Sequence, residues 1–300
     1  MPLFHGLSAF PITPADASGM VDTGALATVL GRIQAAGADS IGLLGSTGAY
    51  AFLSRGERRR AVETAMSTVG GKIPVIVGVG ALRTDEAQAL ARDARELGAN
   101  GLLLAPVSYT PLTDDEVYEH FVAVADAGQL PLCIYNNPGT TKFTFSADLI
   151  ARLAKLGTVK AVKMPLPANG DFAEEIASLR SVISADFAVG YSGDWGAADA
   201  LLAGSDSWYS VVAGLLPAEA LKLTRAAQAG DTKEAGRIND AFAPLWALFR
   251  EFGSFRVMYT IADLLGLGRF APPRPVLGLP EQARGRVREA LESLSAAVGP

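Results

Sequence analysis

From residue 7 to about residue 230 the chain repeats one unit: a short apolar run, a turn, then a longer stretch whose apolar residues recur at helical spacing. The apolar runs are Gly6–Ile12, Ser40–Leu44, Pro74–Val79, Gly101–Leu104, Pro131–Tyr135, Val159–Lys163, Phe187–Tyr191 and Ser207–Val212. The stretches that follow them, each expected to be helical, are Thr23–Ala36, Arg55–Val69, Thr84–Leu97, Thr113–Ala127, Ser146–Leu156, Asp171–Ile183, Trp195–Ala203 and Pro217–Ala229. Thr84 is expected to cap its helix, and Thr113 with Glu116 has the spacing of a capping box. Strands alternating with helices imply a parallel sheet, and eight such units are the count of a closed α/β barrel, the TIM (β/α)8 fold. A doubly wound sheet would carry a glycine fingerprint after its first strand, and Phe10-Pro11-Ile12-Thr13-Pro14 has none. Gly45-Ser46-Thr47-Gly48 is no P-loop, because no Gly-Lys-Ser/Thr follows it.

The barrel is expected over residues 1–230 and a helical extension over 231–300. Three stretches of the extension look helical: Thr232–Phe252, Phe255–Leu265 and Glu281–Val298. Ala271-Pro272-Pro273-Arg274-Pro275 is a stiff connector between the last two. Phe242, Leu245, Trp246, Leu248, Phe249 and Phe252 form an apolar face, expected to pack on the barrel or on another subunit.

Composition excludes several kinds of partner. A net charge of −5 leaves no basic stripe to neutralise phosphates, so nucleic acid is not expected. The basic cluster Arg58–Arg60 reads as a solvated helix face. No run approaches the roughly 18 apolar residues of a membrane span, and a cytoplasmic protein is expected. The single Cys133 reads as a small buried hydrophobe, and His5 and His120 have no second ligand nearby in sequence, so no metal site is expected.

In a barrel, the residues that follow each strand gather at one face and carry the chemistry. Here they include Thr13-Pro14, Ser46-Thr47, Tyr109, Tyr135-Asn136, Lys163, Ser192-Gly193-Asp194 and Tyr209-Ser210. The set is rich in hydroxyls, with one lysine and one obvious carboxylate, Asp194, which argues against metal hydrolysis and paired-carboxylate glycoside chemistry. The chain has seven lysines, and most sit on polar stretches or beside turns. Lys163 instead closes the apolar run Val159–Val162, and Pro165 cannot continue a ladder beyond it. A lysine among hydroxyls suits imine formation with a carbonyl substrate. An ordinary lysine, with a pKa near 10.4, is neutral in only about one molecule in a few thousand at pH 7, so such a nucleophile calls for a buried setting. Hydroxyls can relay the protons, and the backbone N–H groups of Ser46-Thr47-Gly48, opening a helix, would suit a substrate carboxylate.

The order of these motifs along the chain resembles the dihydrodipicolinate synthase/N-acetylneuraminate lyase family of pyruvate-dependent Schiff-base lyases and aldolases. Thr13-Pro14, Gly45-Ser46-Thr47-Gly48, Tyr135-Asn136-Asn137-Pro138, Val162-Lys163 and Ser192-Gly193-Asp194 carry the resemblance. It implies that Lys163 forms the imine with pyruvate or another 2-oxo acid, and that Tyr135 is the acid/base beside it. Ser46, Thr47 and Gly48 would hold the carboxylate, with Ser46 also in the proton relay. Tyr109 would complete that relay in a neighbouring protomer of a homotetramer. Gly193 and Tyr209 would line the pocket. No cofactor is implied.

Three departures bear on the second substrate. Ala49 stands where the family usually carries Glu, and Lys163 precedes Met164-Pro165 where an acidic or small residue is usual. The loop Gly139-Thr140-Thr141-Lys142 lacks the arginine by which the synthases grip the aldehyde's carboxylate, leaving Lys142 as the substitute to test. The expected function is therefore an aldolase or lyase making or breaking a carbon–carbon bond beside a 2-oxo acid. The alternatives are a dehydratase or hydratase of a 2-oxo-3-deoxy sugar acid, the 4-hydroxy-tetrahydrodipicolinate synthase itself, and a non-catalytic 2-oxo-acid-binding protein.

Overall fold

A computed structural model describes residues 2–299. Strands β1 (Gly6–Ala9), β2 (Ser40–Leu43), β3 (Val75–Gly78) and β4 (Gly101–Leu104) alternate with helices α1 (Thr23–Ala36), α2 (Arg55–Val69), α3 (Thr84–Glu96) and α4 (Asp114–Gly128). The second half continues with β5 (Leu132–Tyr135), a one-turn helix α5 (Pro138–Thr141), α6 (Ala147–Ala154), β6 (Val159–Met164) and α7 (Phe172–Arg180). β7 (Ala188–Tyr191), α8 (Ala197–Leu202), β8 (Ser207–Ser210) and α9 (Pro217–Gln228) complete the repeat. All eight strands are parallel, pair in sequence order, and close through β8 on β1. This is the expected barrel, with α10 (Thr232–Phe252), α11 (Ser254–Leu264) and α12 (Glu281–Val298) added outside it.

Six strands are shorter than their apolar runs, β4 matches its run, and β6 reaches one residue further, to Met164. Alternation along each strand makes two cores. Leu132, Ile134, Val162, Met164, Val189 and Trp208 face the helices. Cys133, Tyr135, Ala161, Ala188 and Tyr209 fill the barrel axis with Phe10, Ile76 and Leu103. The face formed by Phe242, Leu245, Trp246, Leu248 and Phe249 is buried within the chain, with Phe242 stacked on Trp246 at 4.7 Å.

The capping box forms as expected: Glu116 N donates to Thr113 Oγ1, and Thr113 N donates to Glu116. Two local expectations do not hold. Arg83, not Thr84, is the residue before α3, and the Thr84 hydroxyl meets His120 Nδ1 at 3.0 Å instead. Arg58 is not on a solvated face. It is only 5% exposed and donates to Gly80 O at 3.0 Å and Gly78 O at 2.8 Å, tying α2 to the end of β3. Arg59 does reach the surface, where it bridges Glu63 and Asp93.

Asp194 binds the loops after β7 and β8 together. Its carboxyl group accepts from Trp208 Nε1 at 3.0 Å, Val211 N at 3.1 Å and Val212 N at 2.7 Å. Complete burial pushes its pKa up to about 6, against the opposing pull of these donors. The folded chain thus holds this proton more tightly than the unfolded one. Stability linked to Asp194 is complete below about pH 4 and is lost as the pH rises through about 6. Urea unfolding across this range should show the advantage of the wild type over Asp194→Asn shrinking from pH 4 to pH 7. Gly78 supplies a second test. A Cβ there would lie 2.0 Å from Leu44 O, a backbone atom that cannot swing aside. Gly78→Ala should lower the unfolding free energy by about 3 kcal/mol, read from the urea midpoint.

Candidate active site

Lys163 and Tyr135 are register partners on adjacent parallel strands, so their side chains emerge side by side at the open end of the barrel. On its other flank Lys163 pairs with Gly190, which has no side chain. A Cβ at Gly190 would lie 2.7 Å from the ring of Tyr209, so this glycine makes room for that ring beneath the lysine. Gly42 does the same for Phe10, whose ring a Cβ there would meet at 2.2 Å. The result is a floor of aromatic faces. Lys163 Nζ stands 4.0 Å from the ring centroid of Phe10, 4.3 Å from that of Tyr135 and 5.7 Å from that of Tyr209.

The lysine is 3% exposed, and among the described residues no carboxylate comes within ion-pair distance of it. Ring faces surround the nitrogen in place of a counter-charge, and among the described residues nothing salt-bridges it away from a substrate. Asn136 N, just beyond Tyr135, donates to Lys163 O at 3.0 Å and continues the β5–β6 pairing past the strand end.

Above this floor is a cavity of about 740 Å³ lined by Ser46, Thr47, Tyr50, Tyr135, Asn137, Lys163 and Gly193, among others. The Tyr135 hydroxyl lies 3.3 Å from Ser46 Oγ and accepts a hydrogen bond from Asn137 Nδ2 at 3.0 Å. Since Asn137 can only donate here, the Tyr135 proton is left free to point toward Ser46 or a bound molecule. Among the described residues the N–H groups of Ser46, Thr47 and Gly48 have no backbone partner, while Ala49 N closes the turn on Ser46 O at 3.1 Å. Gly48 is packed so tightly that a Cβ would sit 3.0 Å from Leu44 Cα and Leu44 N. The turn does not open α2, contrary to expectation: a 3-10 turn, Tyr50–Phe52, and the cap Ser54 intervene. Its open donors come from the turn itself, with Ala49 in the left-handed region at φ 56°.

Of the residues singled out from sequence, Ser46, Thr47, Tyr135, Lys163 and Gly193 meet at this cavity, with Gly48 in the turn behind it. Gly193, at φ +91°, holds a backbone conformation suited to glycine, and a Cβ there would press on Leu166 at 2.8 Å. Tyr209 does not line the cavity. It is buried below it, edge-on to Phe10, with its hydroxyl 3.5 Å from Cys133 Sγ. Tyr109 also lies outside the cavity of its own chain, 97% exposed at the tip of the loop between β4 and α4. Lys142, the substitute to test for the absent arginine, lies outside the cavity lining: it is exposed, and its Nζ turns back to Gly139 O at 3.1 Å.

Sequence reasoning passed over several residues of the site. Phe10 precedes the Thr13-Pro14 turn and has no polar group to draw attention. Tyr50 lines the cavity, and its pKa is pushed up to about 12, chiefly by burial, so its hydroxyl stays protonated. Arg58 lies 5.3 Å from the Tyr50 ring, and burial pushes its own pKa down to about 10, so it remains charged at neutral pH. Phe249 and Phe255 come from α10 and α11, far along the chain, where nothing local marks them as part of a site.

Comparisons with known proteins agree with this arrangement. The family model described as "Dihydrodipicolinate synthetase family" matches residues 3–294. A 4-hydroxy-tetrahydrodipicolinate synthase of Pseudomonas putida is 34% identical over 93% of this chain and 94% of its own. One from Gluconacetobacter diazotrophicus is 33% identical over 96% of both. Among solved structures, a dihydrodipicolinate synthase from Agrobacterium tumefaciens superposes with a TM-score of 0.96 at 60% identity, covering 97% of this chain and 98% of that one. Similar from end to end in motif order, barrel and sequence, the chain belongs to the dihydrodipicolinate synthetase family of Schiff-base-forming lyases.

Proposed function

We propose that Lys163 forms an imine with pyruvate, or a closely related 2-oxo acid, and that the enzyme makes or breaks a carbon–carbon bond to an aldehyde. The observation that carries this reading is the buried lysine, held over aromatic faces with no ion-pair partner and open to a hydroxyl-lined cavity. The neutral amine attacks the ketone carbon, the oxygen leaves as water, and the protonated imine draws electrons from the adjacent C–H bond. Loss of that proton gives an enamine, which is the carbon nucleophile.

Tyr135 is the acid/base in these transfers. It is directly beside the lysine, and its hydroxyl contacts Ser46 Oγ, the next member of the relay. The open N–H groups of Ser46, Thr47 and Gly48 hold the carboxylate of the 2-oxo acid. Tyr109, exposed in its own chain, extends the relay into the cavity of a neighbouring copy in a homotetramer.

Borohydride reduction in the presence of pyruvate should leave a carboxyethyl group on Lys163, located by peptide mass spectrometry. No adduct, or an adduct on another lysine, would remove this reading. Tyr135→Phe should keep the fold and lower kcat by roughly 10²–10⁴-fold, measured as pyruvate-dependent aldehyde consumption.

A further inference from the structure

The imine chemistry accounts for the inner half of the cavity, around Lys163 and the Ser46–Gly48 turn. The outer half has a different composition. Its polar groups include Asn137, Thr140, Thr141, Ser192 and Ser254. Its apolar surface comes from Leu166 in the loop after β6, Trp195 in the loop after β7, Phe249 and Phe255 of α10 and α11, and Val276 of the connector before α12.

Among the described residues of this chain, the cavity lining contains one cationic side chain, Lys163, which the imine takes up. The nearby cations make contacts outside the lining. Lys142 turns to Gly139 O, Arg58 is bound to Gly78 O and Gly80 O behind Tyr50, and Arg256 Nη1 donates to Phe252 O at 3.2 Å. The one carboxyl group in the lining, Asp194, is taken by its three donors. The open N–H groups of the Ser46–Gly48 turn are taken by the carboxylate of the 2-oxo acid. A second charged group, on the molecule that meets the enamine, would leave water with no opposite charge among the described lining residues to receive it. Apolar surface, by contrast, is waiting to be covered. Phe52 and Trp195, which line this cavity, remain 44% and 36% exposed.

We infer that the acceptor is an uncharged aldehyde with an apolar body about the size of one aromatic ring, seated against Trp195 and Phe255. This rests on the imine reading above and adds the class of the second substrate. The enamine carbon gives its electron pair to the aldehyde carbon, forming the new carbon–carbon bond. The carbonyl π pair moves onto oxygen, which takes one proton from Tyr135, and the nitrogen returns to the protonated imine. One water then hydrolyses that imine, releasing a 4-hydroxy-2-oxo acid and the free amine of Lys163, while Tyr135 recovers its proton through the relay.

The test compares kcat/KM for benzaldehyde, glyceraldehyde and succinic semialdehyde, each with saturating pyruvate, alongside borohydride trapping with pyruvate alone. Benzaldehyde should exceed succinic semialdehyde by at least roughly tenfold and should also exceed glyceraldehyde. Trp195→Ala should lose about tenfold in kcat/KM for benzaldehyde, and Trp195→Phe should recover most of it. If the Lys163 adduct forms but succinic semialdehyde or glyceraldehyde is preferred, or benzaldehyde is not turned over, this inference falls and the imine reading stands. If no adduct forms, both fall together.

Discussion

A buried amine is freer to act as a nucleophile where no permanent counter-ion holds it. Here the rings of Phe10, Tyr135 and Tyr209 surround Lys163 Nζ in place of a carboxylate. A ring face attracts a cation by its quadrupole but forms no ion pair that a substrate would have to break. That arrangement depends on space. Two of these rings fit at the top of the barrel because Gly42 and Gly45 leave volume for Phe10 and Gly190 leaves volume for Tyr209. Each glycine sits on or just beyond the strand next to the one that carries, or leads into, the ring it accommodates, so the pairing of adjacent strands shapes the space around the lysine.

The eight-fold alternation could be read from the sequence because the strands are buried on both faces and the helices on one. Those two environments leave different periods in the chain. The same reasoning failed where a polar residue was buried by contacts from other units. Arg58 looks like its neighbours Arg59 and Arg60, and only the position of the β3 end, where Gly78 O and Gly80 O point inward, distinguishes it. Thr84 has the chemistry of a cap, but His120 on the adjoining helix offers its hydroxyl a partner. Side-chain identity limits what a residue can bond to, and the fold decides which bond is made.

The site divides along the same line. Lys163, Tyr135, Ser46 and Thr47 stand out in the sequence because strand ends converge in any barrel and these are the polar residues found there. Tyr209 is at a strand end too, yet it belongs to the floor and not to the lining. Whether a residue at that level points up or down depends on packing across the barrel axis, here on Gly190 and Cys133. Asn137 was in plain view within Tyr135-Asn136-Asn137-Pro138. Its hydrogen bond to the Tyr135 hydroxyl forms where Asn137 occupies the N-cap position of α5, with only two residues between the strand end and that helix.

Phe249 and Phe255, which wall the mouth of the cavity, come from helices added after the eighth repeat. The proposed reacting groups come from β5, β6 and the turn after β2, while Leu166 and Trp195 of the same wall come from barrel loops. Part of the wall around the proposed chemistry is thus written in a later stretch of the polypeptide. Under the proposed function, substitutions near residues 249–255 would reshape that part without touching Lys163 or Tyr135.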